Sequence, residues 1–128
     1  MLISGGGRFG GTSVDDQLSA EIFSPPYLFK GARPVITAAP GTLAYNAGFS
    51  VTTPDAARIA TVSMIPLGSV THHFNFNQRY VSLPFQVNGG ALTVQSPANA
   101  NFAPPGYYML FIVDTAGIPS VAAILRIQ

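Results

Sequence analysis

The chain has 128 residues, enough for one compact domain, with a formal net charge of +1, 48% hydrophobic residues and no cysteine. That balance excludes a disordered chain and a polyanion-binding surface, so no nucleic acid is expected as a partner. Disulfide, thiolate-metal and thiol-nucleophile chemistry cannot arise from these residues, and no apolar run approaches the ~20 residues of a membrane span.

Prolines from Pro25 to Pro119 interrupt every run long enough for a three-turn helix, and their spacing of roughly ten residues is the rhythm of short strands and turns. In chain order, the first two strands are Met1–Ile3, running into Ser4–Gly7, and Ala20–Phe23, which stops at Ser24-Pro25-Pro26. Separated by the polar loop from Arg8 to Ser19, they cannot enclose a core. They read as the end of a sheet whose remainder is missing, as in a blade of a repeat propeller. The division falls at Lys30–Ala32, giving segments 1–31 and 32–128.

From Arg33 onward the candidate strands are Val35–Thr37, Thr42–Ala44, Phe49–Thr53, Ile59–Ile65, Tyr80–Phe85, Ala91–Gln95, Tyr107–Val113 and Val121–Ile127. Apolar residues recur at period two in Phe49-Ser50-Val51-Thr52 and Tyr80-Val81-Ser82-Leu83, the pattern of a half-buried strand. Asn88-Gly89-Gly90 marks a tight hairpin. The pattern predicts an all-β chain: an immunoglobulin-like antiparallel sandwich of about seven strands, with a barrel less favoured. Its expected core is Phe49, Val51, Val62, Met64, Val81, Leu83, Leu110, Ile112 and Val121. Charged residues make up only 9% of the chain, against ~25% in an average domain. This suits a secreted β-protein with a neutral, hydroxyl-rich surface, part of it covered by the rest of a longer protein.

The five carboxylates, Asp15, Asp16, Glu21, Asp55 and Asp114, show no paired-carboxylate pattern. There is no G-x-S-x-G elbow, and the glycines from Gly5 to Gly11 lack the Lys-Ser/Thr of a phosphate cradle. His72 and His73 are the only histidines, in a polar segment between two strands. Neighbours on a strand point to opposite faces, so a simple site uses one of them. A loop histidine is most often an ordinary surface residue. One imidazole cannot hold a metal that needs about four donors, so any metal site here is completed from outside the chain. Gln78 and Arg79 at the loop base either position the loop through backbone carbonyls or are simply solvated.

Three ordered motifs then carry a resemblance: Thr71-His72 with Asn75 and Gln78-Arg79; Pro105–Phe111; and Ala116–Ala122. Together they resemble the C-terminal domain of the galactose oxidase and glyoxal oxidase family of copper radical oxidases. Gly5-Gly6-Gly7 and Ala20–Leu28 are similar to the end of that family's kelch propeller. The resemblance implies a sandwich following a propeller, with His72 as one copper ligand. His73 stands where the family usually has a small polar residue, and Asn77 where an acid is common. It further implies that the remaining ligands and the substrate site, for a small alcohol, aldehyde or sugar, lie upstream. The expected activity is oxidation by dioxygen with release of hydrogen peroxide, absent from the isolated chain. The alternative is a non-catalytic sandwich that binds carbohydrate or a partner protein.

Overall fold

The computed structural model describes residues 2–4, 19–72 and 74–128. Their strands are β1 (Leu2–Ser4), β2 (Ala20–Ile22), β3 (Thr42–Leu43), β4 (Gly48–Thr52), β5 (Ile59–Pro66) and β6 (Val70–Thr71), then β7 (Phe74–Asn75), β8 (Val81–Leu83), β9 (Phe85–Asn88), β10 (Ala91–Gln95), β11 (Gly106–Asp114) and β12 (Ala123–Ile127). Helical structure among these residues is limited to two 3-10 turns, Pro26–Phe29 and Ala56–Arg58.

Two sheets face each other. One has the order β3-β12-β11-β5-β8 and the other β4-β10-β9. All pairings within them are antiparallel except β3 with β12. Along β11, Tyr108, Leu110 and Ile112 point inward at 0–2% exposure. They meet Val62 and Met64 of β5, Leu125 and Ile127 of β12, Val51 of β4, and Leu92 and Val94 of β10 in one closed apolar cluster. Burial of this set is the main driving force of the fold.

The outward side of the same strand is also apolar. Met109 pairs with Ile124 on one side and Ile65 on the other, forming a row across three strands. Ile124 is 52% exposed.

Six of the nine expected core residues are fully buried, and Phe49 and Val81 pack against the cluster from partly buried positions. Val121 is a correction, because it is 69% exposed. The last strand begins only at Ala123, and the preceding segment is held by an isolated bridge between Val113 and Pro119. Val35–Thr37 is likewise not a strand, since after Pro34 the chain makes only an isolated bridge from Ala38 to Thr52. Tyr80–Phe85 divides at Pro84 into β8 and β9, which lie in different sheets. Proline has no N–H for a ladder, so the chain can change sheets there. The Asn88–Ala91 hairpin forms as expected, with Gly89 at φ +59°, a backbone region costly for other residues. The glycine segment 5–11 and most of the loop 8–19 lie outside the described residues.

β1 and β2 form a separate antiparallel pair, in which Ile22 is 81% exposed. The segment after it is pinned to one end of the sandwich. Arg33 donates through Nε to the Pro119 carbonyl at 2.8 Å and through Nη2 to that of Ser120. Arg58 donates to the Ala32 carbonyl at 3.3 Å, pairs with Asp55 at 3.0 Å, and pairs with Asp114.

A backbone hydrogen bond from Val35 is the main cause that holds the Asp55 carboxyl below its ordinary value; burial opposes it and Arg58 reinforces it. A depressed native pKa means that the stability this group contributes is complete above the unfolded value, about pH 4. It is lost as pH falls through the native value. Urea midpoints measured down this acid range are expected to drop for the native chain, with Asp55→Asn removing part of the slope.

Candidate metal centre

The segment between β5 and β8 leaves the opposite end of the sandwich as a hairpin, β6–β7, with Val70 opposite Asn75 and Thr71 opposite Phe74. His72 begins the turn of this hairpin. His73 lies outside the described residues. His72 is exposed and adopts φ +51°, a region that a non-glycine residue enters at a cost and that histidine tolerates better than most. Its Nδ1 lies 2.7 Å from Thr71 Oγ1.

The hairpin is braced at its base by side chains. Asn75 Oδ1 accepts from the backbone N–H groups of Ser69 at 2.9 Å and Asn77 at 3.0 Å. Asn77 Nδ2 donates to the Leu67 carbonyl at 3.0 Å, and Gln78 Nε2 donates to that of Asn75 at 2.7 Å. Arg79 Nη1 donates to the carbonyls of Asn101 at 2.7 Å and Phe102 at 2.9 Å. The turn it grips is fastened to the core by Tyr45, whose hydroxyl donates to the Ala103 carbonyl at 2.7 Å. Of the two roles open to Gln78 and Arg79, positioning through carbonyls is the one formed. Asn101, Phe102 and Tyr45 are the partners that sequence reasoning missed. The only hint was the Asx pattern at Asn99, whose Oδ1 accepts from the Asn101 N–H at 2.9 Å.

Apolar side chains surround the tip. Val70 is 72% exposed, Phe74 55% and Phe76 66%, and the two rings meet edge to face at 5.0 Å. Beneath the hairpin lies an open groove of about 780 Å³ walled by Pro66, Phe76, Asn77, Arg79, Pro105 and Tyr107. Tyr108, which also lines the groove, is pushed above the ordinary tyrosine value chiefly by burial. It stays protonated and donates to the Pro104 carbonyl at 2.8 Å.

Among the described residues, no three His, Cys, Asp or Glu side chains gather as a metal cage. Of the described carboxylates, Asp55 and Asp114 are engaged by Arg58 at the far end of the sandwich. Among the described residues, what the site offers is one imidazole, that of His72, on a braced tip. This fits copper as one donor among several, because imidazole serves copper well and three further donors are needed.

Comparison with known proteins finds relatives of this chain. Residues 33–127 match the family described as galactose oxidase-like, Early set domain. A galactose oxidase from Gibberella zeae is 35% identical over 132 aligned positions, covering 98% of this chain and 19% of its own length. An aldehyde oxidase GLOX from Vitis pseudoreticulata is 34% identical, covering 83% of this chain and 22% of its own. The solved structure of a fungal alcohol oxidase in complex with copper superposes with a TM-score of 0.83 at 34% identity, over 97% of this chain and 28% of that one. The chain thus spans about a fifth of the length of these curated relatives.

Proposed function

The chain belongs to the galactose oxidase-like family, and we propose that it is the C-terminal part of a secreted copper radical oxidase to which His72 contributes one copper ligand. The observation that carries this reading is the exposed imidazole at the tip of a hairpin whose base is tied down by Asn75, Asn77, Gln78 and Arg79. A surface histidine with no role needs no such bracing.

Copper, when bound, supplies the redox partner for oxidising a primary alcohol or aldehyde with dioxygen, giving hydrogen peroxide. The chain's own residues do the rest of the local work. His72 would hold the ion through one imidazole nitrogen. The loop-base side chains fix where that nitrogen sits, which costs entropy only once, on folding. Val70, Phe74 and Phe76 exclude water around the tip when it is covered.

In this reading residues 1–31 are the end of the last propeller blade and its linker, and residues 32–128 the sandwich. The upstream kelch propeller of the same protein covers the apolar row Ile124, Met109 and Ile65, since a face of that kind ordinarily has a partner. The substrate, a small alcohol, aldehyde or sugar, is held mainly by that upstream part.

Metal analysis and peroxide assay of the intact parent protein test this. The expected result is one copper per chain and peroxide from at least one primary alcohol, aldehyde or galactose-type sugar. A copper-free parent that takes up no copper on loading, with glycan binding to the chain, would replace the proposal with the carbohydrate-binding module.

A further inference from the structure

We infer that Thr71 is the positioning residue of the histidine donor: its hydroxyl accepts the Nδ1 hydrogen of His72, so that Nε2 is the nitrogen presented for metal binding. This rests on the reading of His72 as a ligand, and deepens it by naming the ring atom and what selects it.

The contact is 2.7 Å between Thr71 Oγ1 and His72 Nδ1. A neutral imidazole has one N–H and one lone pair, so whichever nitrogen binds a metal, the other must carry the hydrogen. With Nδ1 held against a hydroxyl, its lone pair is not open to a metal, and Nε2, at the outer edge of the ring, is. Metal-binding histidines generally donate their second ring N–H to an oxygen acceptor, which fixes both tautomer and ring plane. Here that acceptor comes from the adjacent residue. The left-handed backbone of His72, at φ +51°, accompanies this short contact between neighbours. Thr71 is itself fixed as a ladder residue opposite Phe74, so the acceptor does not wander.

The test uses the metal-free 128-residue chain labelled with nitrogen-15, at a pH well above that at which imidazole takes a second proton. Expected for His72 is an Nδ1 resonance in the protonated range and an Nε2 resonance in the lone-pair range. Thr71→Ser should keep this assignment, whereas Thr71→Val should move His72 toward the Nε2–H form. His73 and the backbone spectrum should stay unchanged, which shows that the fold survives. A native His72 that is mainly Nε2–H, or a Thr71→Val chain with unaltered tautomer, overturns the inference whatever becomes of the copper proposal. In the intact parent, Thr71→Val should lower copper affinity roughly 10–100-fold, with Thr71→Ser restoring most of it. An unchanged affinity in Thr71→Val would overturn the positioning role.

Discussion

In the intact parent protein, His72→Gln is expected to lower copper affinity by at least about 100-fold, beyond what changes to outer hydrogen-bond partners cost, and to reduce peroxide formation to background. Glutamine is close in length and keeps a polar tip, but its amide nitrogen has no lone pair to offer a metal. Because His72 is exposed, the loss should not come from unfolding. Compared metal-free against metal-free, the melting transition is expected to move by no more than a surface substitution's ~0.5 kcal/mol. His73→Gln in parallel should leave copper binding intact. Competitive chelator titration and oxygen uptake measure the two effects. Retention of both in His72→Gln would remove His72 from the copper site, and their loss in His73→Gln would transfer the role to its neighbour.

The second large effect is on stability. Asp114→Ala is expected to destabilise the sandwich by about 3 kcal/mol, because two backbone donors lose their acceptor. Asp114 is 3% exposed. Its Oδ1 accepts from the N–H of Ala116 at 3.0 Å and of Ile118 at 2.8 Å, and its Oδ2 from Arg58. These bonds shape the turn after β11, where Gly117 takes φ +76°. Asp114→Asn keeps a carbonyl oxygen for the turn and forfeits mainly the charge on Arg58. That guanidinium is already 38% exposed and retains Asp55, so the asparagine variant should cost about 1 kcal/mol. Urea unfolding of the two variants separates the contributions. Equal losses would show that the ion pair, not the turn, dominates.

Much of the sandwich was legible because its longer strands obey simple periodicities. Ala91–Gln95 alternates and follows a double glycine, so both its limits and its hairpin could be read directly. β11 was readable from its inward row alone. The apolar outward row, Met109 and Phe111, made the strand conspicuous without telling which face is covered. Two-residue strands such as β6 and β7 carry no period at all. Val121 misled because it continues the apolar rhythm of β12 past the point where Pro119 and Ser120 turn the chain.

At the site, His72 and its neighbours were legible as residue types. The acceptors of Arg79 were not, since they are backbone carbonyls 22 and 23 positions away, and a carbonyl leaves no mark in a sequence. Nor could spacing show that Thr71 and His72, adjacent in the chain, face each other through their side chains.

The placement of Ala32 and His72 at opposite ends of β5 has a mechanical consequence. The eight residues of β5 span roughly 25 Å. Arg58 fastens the incoming segment at one end, and the β6–β7 hairpin projects from the other. In the proposed oxidase, with His72 as one copper ligand and the others upstream, the ion would close a ring: backbone at residue 32, coordination at residue 72, and the whole length of the sandwich between. Copper would then act as a cross-link as well as a cofactor. Unfolding this domain must open the ring, and the bound ion opposes unfolding of a core that it never touches.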